Sequence, residues 1–521
     1  VYGRQLGIAF GGLRPSERAA MKGGALTLAI VAGVDARNTL SRTPPMGWMS
    51  WELFRCDIDC SKGEVGCISE WLYRNQTDAL VDGGYTQAGY LGIHIDDCWM
   101  QKAPRNGAPL KADVNRFPSG MKSLGDYMHS KGAKFGLYTA ESPTTCADYA
   151  ASSDHEVEDA KTFASWGVDY MKVDGCGDTG YYKHGYQAMG AALEASGRPI
   201  EYSCSWPAYI GDNESTKPFA EFIMDGCNEW RNWEDIQCNW GSLSSIIDHW
   251  GDYGTVLAPF AGPGHWHDMD MLLVGANCIT EDEEMTQMAI WAISASPLIM
   301  GNDLTKVFAS SKAILLNSAA ISVSQDPLGQ MGIRLPAYTS KSAQQVWSRR
   351  LGNGDAAVAL YNKLGAGVSA AQDSAACPSW HEVCGGRVEA CGGGASDFLR
   401  GRLSSAAIAN LSRAGALEAC CMDANCEGFT FSVSGQKPAY EAATPERCGS
   451  NQPMRAVLAG GPADISVNFA DVGMYGAVTV FDIWAQKALG TFYTSYTAKG
   501  VPLHGTSFLR FSAATESAIV V

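Results

Sequence analysis

The stretch Val168-Asp-Tyr-Met-Lys-Val-Asp-Gly-Cys176 is an apolar run that ends abruptly in Lys172, Asp174 and Cys176. Residues two apart on a β-strand point to the same face, so Lys172 and Asp174 would meet one ligand together. An isolated Lys-Val-Asp tripeptide is more often a strand end with solvated charges. A site is therefore indicated only if similar strand ends recur along the chain.

The composition limits the kinds of protein that this chain can be. Its 521 residues, 46% of them hydrophobic, exceed one average domain, whereas an α/β barrel alone uses about 250 residues. We therefore expect one large domain and one smaller one. The net charge of −16 disfavours nucleic acid and anionic membranes as partners and suits a neutral ligand.

The N-terminal region and the cysteine content predict an oxidising compartment. Residues 1–20 are interpreted as an upstream segment, and residues 21–36 as a signal peptide with a basic start at Met21-Lys and an apolar core over 25–34. That core is too short to span a bilayer. Seventeen cysteines agree with the secretory pathway, either extracellular or lysosomal/vacuolar.

Residues 37–336 alternate short apolar strands with amphipathic helices, which is the order of a parallel sheet with crossover helices. Eight units of this kind predict a (β/α)₈ (TIM) barrel, with its active site at the C-terminal ends of the strands. The glycines Gly83, Gly132, Gly167 and Gly197 are predicted to end helices in the left-handed conformation. The predicted strands are Met46–Trp51, Leu91–Asp96, Lys134–Thr139, Asp169–Asp174, Ile200–Trp206, Cys227–Arg231, Val256–Ala261 and Pro297–Met300.

The barrel interpretation can be checked on the sequence, because each strand should end in side chains able to face one ligand. Most strands meet this condition, and carboxylates recur at several ends, which helix caps or solvated turns explain poorly. The residues at or after strands one to seven are Trp51 and Glu52; Asp96 and Asp97; Tyr138; Lys172, Asp174 and Cys176; Ser205 and Trp206; Arg231 and Asp235; and His265, His267, Asp268 and Asp270.

Paired carboxylates around an uncharged ligand indicate glycoside hydrolysis, in which one acts as nucleophile or base and the other as acid. Zinc binding by His265, His267 and Asp268 is the competing interpretation, but no second cluster of ligand spacing supports it. There is no phosphate-binding Gly-rich loop and no Gly-x-Ser-x-Gly elbow. We predict neither a metal nor a cofactor.

These strand ends, taken as a set, resemble glycoside hydrolase family 27, the retaining α-galactosidases and α-N-acetylgalactosaminidases, and most closely the latter. The resemblance covers nearly all of residues 38–365 and resumes over about 455–515. The motifs that carry it are Arg42-Thr-Pro-Pro-Met-Gly-Trp-Met-Ser-Trp-Glu52, Ile95-Asp-Asp-Cys-Trp99, Lys172-Val-Asp-Gly-Cys176, Tyr202-Ser-Cys-Ser-Trp-Pro207, Trp230-Arg-Asn-Trp-Glu-Asp235 and Gln325-Asp-Pro-Leu-Gly329.

The resemblance implies a role for each matching residue. Asp174 would be the nucleophile and Asp235 the acid/base, and the charge of Asp174 is expected to raise the pKa of Asp235 until the glycosyl-enzyme forms. The other residues implied in substrate binding are Asp96, Asp97 and Lys172 at the sugar hydroxyls, Arg231 near the 2- and 3-positions, Trp51 and Tyr138 as apolar walls, and Cys146, Cys176, Tyr209 and Asp270 around them.

The loop after strand five would select the substituent at C2 of the sugar. Galactosidases of animal type resemble Glu-Trp-Pro-Leu-Tyr here, whereas this chain has Ser205 and Ala208, which leave space for an acetamido group. A departure from the family pattern is Met269, which stands where a proline usually precedes Asp270 and puts the orientation of that carboxylate in doubt.

The resemblance also implies four disulfides within the barrel. They are Cys56–Cys98, Cys60–Cys67, Cys146–Cys176 and Cys204–Cys227. Cys238 and Cys278 follow strands six and seven and are candidates for a further pair, which sequence alone does not fix.

Residues 337–521 change to strand patterns and predict a C-terminal antiparallel β-sandwich, which the family also carries. A Cys-rich insertion at 366–454 interrupts it, with seven cysteines in a Gly- and Ala-rich background. Residues 417–431 resemble an apple or PAN module, so the insertion is a candidate binder of glycan or protein.

The sequence thus predicts a retaining exo-glycosidase that removes terminal α-linked N-acetylgalactosamine and, more weakly or alternatively, α-galactose. The alternative within the class is a plain α-galactosidase. The alternative from another class is a catalytically inactive lectin, which would not need both Asp174 and Asp235. Expected partners are carbohydrate substrates, with no nucleic acid and no membrane span, and a homodimer is left open.

Overall fold

The computed structural model of the protein describes residues 36–63, 65–364, 428–431, 439–442 and 461–514. The predicted upstream segment 1–20 lies outside the described residues, as does the predicted signal peptide 21–36 apart from Ala36. Most of the predicted insertion at 366–454 lies outside them as well. Among the described helices, none combines the length and apolar character that crossing a bilayer requires.

Eight short parallel strands form a curled sheet that is the predicted barrel. They are hydrogen-bonded in the order seven, six, five, four, three, two, one, eight. A parallel bridge between Leu272 and Met300 joins the chain just past the seventh strand to the eighth. The strands are β1 (Met46–Met49), β2 (Gly92–His94), β3 (Lys134–Ala140), β4 (Tyr170–Asp174), β5 (Glu201–Cys204), β6 (Glu229–Arg231), β7 (Trp266–Asp268) and β8 (Leu298–Met300).

Helices lie between the strands and cover the sheet. Side chains cap several of them: Ser69 Oγ accepts from Leu72 N at 3.3 Å at the start of the second helix, and Thr280 and Glu283 form a capping box at the ninth. The α-helices are α1 (Trp51–Phe54), α2 (Glu70–Asp82), α3 (Tyr85–Ala88), α4 (Gly120–Ser130), α5 (Glu156–Trp166), α6 (Thr179–Ala195), α7 (Phe219–Met224), α8 (Trp240–Leu257), α9 (Glu281–Ser294), α10 (Ala309–Leu315) and α11 (Ser318–Ser324). Short 3₁₀ helices span Cys60–Lys62, Trp206–Tyr209, Glu214–Thr216, Ala258–Phe260 and Phe469–Val472.

The prediction of the seventh strand was wrong. Val256–Ala261 is the end of α8 followed by a 3₁₀ turn, and the strand is Trp266–Asp268 instead. The apolar residues at 256 and 257 continue the buried face of a long helix, on which Leu257 is fully buried. The true strand is short and carries His267 and Asp268 into the sheet, so its sequence lacks an apolar run.

One of the four glycines predicted to end helices in the left-handed conformation is right-handed instead. Gly132, Gly167 and Gly197 have positive φ angles as predicted. Gly83 does end α2 as its C-cap, but it is right-handed with φ −72°, and its N–H bonds to Ala79 O at 2.9 Å. The left-handed turn falls one residue later, at Gly84 with φ 81°.

The C-terminal domain is an antiparallel β-sandwich, as predicted. Its described strands form a six-stranded sheet and a two-stranded second sheet. The strands are β9 (Ile333–Arg334), β10 (Gln344–Arg350), β11 (Ala356–Asn362), β12 (Gly428–Phe431), β13 (Ala439–Ala442), β14 (Ala463–Asn468), β15 (Val478–Asp482), β16 (Lys487–Phe492), β17 (Ser495–Val501) and β18 (Thr506–Ala513). The six-stranded sheet has the order β16-β15-β18-β11-β10-β9, and β14 pairs with β17 in the second sheet. β12 and β13 pair with each other within the predicted insertion.

Alternation of side chains along β14 explains how the two sheets pack. Ala463, Ile465 and Val467 are buried between the sheets, and the residues between them are exposed. The sandwich is fixed to the barrel through α9. Arg349 donates to Ala292 O at 2.7 Å, and the Thr286 hydroxyl donates to His504 O at 2.6 Å.

Five disulfides lie within the described barrel, and four of them join cysteines at least 23 residues apart in sequence. The four pairs implied by the resemblance are present, and Cys238 and Cys278 form the fifth. Most of them tie the loops that follow the C-terminal ends of the strands. They therefore brace the end of the barrel at which the polar strand-end residues converge.

Candidate active site

A pocket of about 240 Å³ lies at the C-terminal ends of the barrel strands. It is built from residues near the C-terminal ends of β1 to β6 and from the loops that follow β3, β5 and β6, because parallel strands in a barrel present all these ends at one rim. The residues that line it are Trp51, Asp96, Asp97, Tyr138, Cys146, Lys172, Asp174, Ser205, Ala208, Tyr209, Arg231, Trp233, Glu234 and Asp235.

Asp174, at the end of β4, is held by three donors. The hydroxyls of Tyr138 and Tyr209 donate to its Oδ2 and Oδ1, each at 2.8 Å, and Gly175 N donates to Oδ1 at 2.9 Å. Burial first, and the charge of Asp174 second, raise the pKa of both tyrosines, so these hydroxyls keep their protons and donate. The carboxylate is thereby fixed in orientation.

The deep end of the pocket holds a buried ion pair and a second carboxyl. Lys172 Nζ lies 2.7 Å from Asp96 Oδ2. Burial opposes the charge of Lys172, but Asp96 and Asp174 outweigh it, and the pKa of Lys172 is raised above its usual range. Asp97 accepts from Cys98 N at 2.6 Å and from Ala147 N at 3.2 Å, and burial raises its pKa to about 6. This end offers both donors and acceptors to a polar ligand.

Arg231, at the end of β6, links two carboxylates. Its Nη1 lies 2.8 Å from Asp270 Oδ2, and its Nη2 lies 3.1 Å from Asp235 Oδ1. The guanidinium lowers the pKa of Asp235, which is the opposite of the expected increase caused by Asp174. The expectation was wrong because it considered only the charge of Asp174, whereas Arg231 forms an ion pair with Asp235 and has the larger effect on its pKa.

Asp270 keeps a defined orientation even though Met269 replaces the proline. Its backbone has a φ of 76°, its N–H bonds to Asp268 Oδ1 at 2.8 Å, and its carbonyl accepts from Trp291 at 2.7 Å. The carboxylate binds Arg231 and Ile236 N from behind the pocket. Hydrogen bonds at both backbone and side chain thus replace the rigidity that proline would give.

The loop after β5 forms one wall of the pocket as a 3₁₀ helix over Trp206–Tyr209. Ser205 and Ala208 line the cavity together with Tyr209. The disulfide partner Cys146 lines it too, whereas Cys176 and Asp270 do not. Cys176 Sγ lies 3.7 Å from the Tyr138 hydroxyl.

Two protein-family models match this chain. A family model described as alpha galactosidase A matches residues 43–326, more than half of the chain, and a model described as the alpha galactosidase C-terminal beta sandwich domain matches residues 451–511. The chain belongs to the alpha galactosidase A family of glycoside hydrolases. The resemblance to family 27 is thereby confirmed.

Similar proteins include alpha-N-acetylgalactosaminidases and alpha-galactosidases. Alpha-N-acetylgalactosaminidase of Gallus gallus is 43% identical over 330 residues, which are 63% of this chain and 80% of that protein. Alpha-galactosidase A of Homo sapiens is 41% identical over 329 residues, which are 63% of this chain and 75% of that protein. Among solved structures, alpha-galactosidase I from Mortierella vinacea superposes with a TM-score of 0.65 at 25% identity, covering 91% of this chain and 98% of that one.

Two pocket residues of this family member were not predicted from the sequence. Trp233 and Glu234 line the cavity beside Asp235. They lie in the loop after β6, from which the sequence interpretation selected Asp235 alone. Arg231 folds that loop inward by donating to Trp233 O at 3.3 Å and to Glu234 O at 2.9 Å. The motif Trp230-Arg-Asn-Trp-Glu-Asp235 contains both residues. Their positions one and two residues before Asp235 could have indicated that they lie in the same pocket.

The histidines considered as zinc ligands are engaged elsewhere. His267 Nδ1 accepts from Trp230 at 2.8 Å and its Nε2 bonds to Leu257 O at 2.9 Å, while burial lowers its pKa to about 3. His265 Nδ1 bonds to Phe260 O at 2.8 Å. Within the described part of the chain, the residues with metal-ligand spacing are Cys146, Asp174 and Cys176, but the two sulfurs are joined in a disulfide and offer no thiolate.

Buried carboxyls predict a pH dependence of stability. Burial raises the pKa of Glu52 to about 8, of Glu284 to about 7 and of Asp97 to about 6. In the unfolded chain these groups ionise near pH 4, so between about pH 4 and pH 8 the folded state binds more protons. The resulting stabilisation is complete below about pH 4 and is lost as pH rises through these values. We expect Tm to fall by several degrees, on the order of 5 °C, from pH 5 to pH 8.

Calorimetry at the two pH values tests this, with Glu52→Gln as the matched variant. Glutamine keeps an acceptor for Arg55, which donates to Glu52 at 2.7 Å, but it cannot ionise. The variant should therefore lose less of its Tm between pH 5 and pH 8 than the parent. An equal or higher Tm at pH 8 in the parent would show that the buried carboxyls do not dominate this range.

Proposed function

We propose that the protein is a retaining exo-glycosidase that removes terminal, non-reducing α-linked N-acetylgalactosamine, and also α-galactose, from glycoconjugates. The observation that carries this proposal is the placement of Asp174 and Asp235 in one pocket, with the first fixed by hydrogen bonds and the second exposed to solvent. That asymmetry fits a double displacement, which needs a positioned nucleophile and a carboxyl that exchanges protons.

Asp174 is the proposed nucleophile. In the first step it would attack the anomeric carbon and form a glycosyl-enzyme as the bond to the leaving group breaks. Tyr138 and Tyr209 support this role because they direct its two oxygens without donating a full charge. Both hydroxyls can also rotate to keep a hydrogen bond to the carboxyl group as it changes from anion to ester.

Asp235 is the proposed acid/base. Its side chain is 68% exposed, so protons can reach it from solvent, while Arg231 lowers its pKa. A lowered pKa means that the protonated, acid-competent form is populated at low pH, which favours an acidic optimum. After the glycosyl-enzyme forms, the same carboxylate would take a proton from the attacking water.

The deep end of the pocket would hold the sugar hydroxyls. Lys172 supplies donors, and Asp96 and Asp97 supply acceptors, all of them buried. A site built from buried polar groups rejects ligands that leave those groups unpaired. This supports selection of a sugar by its hydroxyl geometry, with Trp51 as an apolar wall.

Ser205 and Ala208 are the proposed selectors at C2. Both are small and line the pocket, which leaves room for an acetamido group. Enlarging both, as Ser205→Glu with Ala208→Leu, should shift the ratio of kcat/KM towards the α-galactoside by about tenfold or more, because the acetamido group would clash. The measurement is side-by-side hydrolysis of aryl α-N-acetylgalactosaminide and aryl α-galactoside.

The wild-type protein in the same assay separates the proposal from its alternatives. Faster hydrolysis of the N-acetylgalactosaminide is expected, whereas a preference for the galactoside would identify a plain α-galactosidase. Binding of both sugars without turnover would indicate a lectin. A double variant that keeps the parent's ratio would show that this loop is not the selector.

We further propose a secretory destination, extracellular or lysosomal/vacuolar. The five disulfides support an oxidising route. The division into a barrel over 37–336 and a sandwich over 337–521 interrupted at 366–454 remains a proposal, as do binding of glycan or protein by the insertion and a homodimer.

A further inference from the structure

Trp233 lies on the open side of the pocket and differs in surroundings from the residues at the deep end. Lys172, Asp96 and Asp97 are buried, whereas Glu234 and Asp235 are exposed. Trp233 is half-buried next to these two and lines the same cavity. A sugar that fills the deep end would therefore direct the group attached to it towards Trp233.

The ring of Trp233 is held by a second ring. His249, on α8, stacks on it with centroids 4.2 Å apart and planes 4° from parallel. His249 is itself buried, and its Nε2 lies 2.8 Å from Glu214 Oε1. The indole face turned to His249 is therefore occupied, and its orientation is fixed.

Glu214 connects this stack to the backbone of the same loop. Its Oε1 accepts from Lys217 at 2.8 Å and its Oε2 from Asn232 at 3.1 Å. Lys217 also donates to the carbonyl of Asn232, the residue before Trp233. All three side chains are buried. The loop is thus secured from behind by a charged, hydrogen-bonded network and from inside by Arg231, which makes Trp233 a rigid surface.

We propose that Trp233 is the platform of the leaving-group subsite, where it packs against the ring of the first aglycone residue, and that His249 is the positioning residue for its indole. Aromatic rings suit this task because their flat faces pack against the apolar faces of sugar and aryl rings. The inference rests on the proposed function, since a leaving-group subsite exists only if a glycosidic bond is cleaved beside Asp235.

The test compares two substrates of the preferred sugar, the 4-nitrophenyl α-glycoside and the α-glycosyl fluoride. Both give the same glycosyl-enzyme, but fluoride has no ring to pack on Trp233. In Trp233→Ala, kcat/KM for the nitrophenyl glycoside should fall about tenfold, the effect of losing about one aromatic contact. The value for the fluoride should stay within about twofold, and Trp233→Phe should retain most of the activity on both.

Variants of His249 test the positioning role. His249→Ala should raise KM for the nitrophenyl glycoside and leave the fluoride unchanged, and His249→Phe, which keeps a flat ring, should restore the parent's KM. Trp71→Ala, at an exposed tryptophan on α2, is the control and should change neither substrate. The Tm of every variant shows that it is folded.

Equal losses on both substrates in folded Trp233→Ala would overturn the inference, because they would mean that the ring only supports the loop. Unchanged values on both would also overturn it. These outcomes are distinct from failure of the proposed function, in which the parent protein hydrolyses neither substrate.

Discussion

Asp174→Asn is expected to abolish turnover, lowering kcat/KM by at least about 10⁴-fold, because the amide cannot attack the anomeric carbon. The substitution keeps the shape of the side chain, and its carbonyl oxygen can still accept from Tyr138 or Tyr209. Sugar binding should therefore survive, and calorimetric titration with the free monosaccharide measures it. Loss of catalysis with retained binding would assign chemistry, rather than folding, to Asp174.

Asp148→Asn is the matched control for this experiment. Asp148 is an exposed aspartate at a φ of 63°, a conformation that asparagine tolerates, and it does not line the pocket. It should leave kcat/KM unchanged. Retention of more than about 1% of the parent's activity in Asp174→Asn would refute the assignment of the nucleophile.

Asp235→Asn is expected to separate substrates by their leaving groups. Without an acid, kcat/KM for glycosides of alkyl or sugar alcohols should fall about 10²- to 10⁴-fold, whereas fluoride, which departs without a proton, should be affected far less. The second step should become slow because no base activates water. Added azide, a nucleophile that needs no base, should then raise the turnover of the fluoride.

The Asp235→Asn variant should keep its fold, because Asp235 is exposed and contacts Arg231. Asparagine can therefore replace it without leaving a buried group unpaired. Rates are compared across a series of aryl glycosides of graded leaving-group pKa, with Trp71→Ala as the unaffected reference. A uniform loss across the series, with no response to azide, would mean that Asp235 is not the acid/base.

The barrel was largely predictable from the sequence because parallel strands are buried on both faces and leave apolar runs. The run of β4 that ends at Asp174 is of this kind. β7 could not be found in the same way, since Trp266–Asp268 is three residues long and carries polar side chains into the barrel. The more apolar residues near 256 belong to a helix. Tertiary packing, and not the local apolar pattern, determines which of the two segments forms the strand.

The candidate site was predictable where a strand end determines it. Asp174 and Lys172 are placed by β4 alone, so spacing along one strand was sufficient. Trp233 and the ion pair of Asp235 depend on how the loop after β6 folds around Arg231. That conformation is set by contacts from Lys217 and His249, which are distant in sequence, and no local pattern encodes it.

The most direct test of the central proposal is the configuration of the first product. Proton NMR of the wild-type protein acting on an aryl α-N-acetylgalactosaminide, recorded before mutarotation, reports which anomer is released. Double displacement through Asp174 predicts that the α-anomer appears first and the β-anomer only later. Initial release of the β-anomer would mean a single displacement by water and would contradict a covalent role for Asp174.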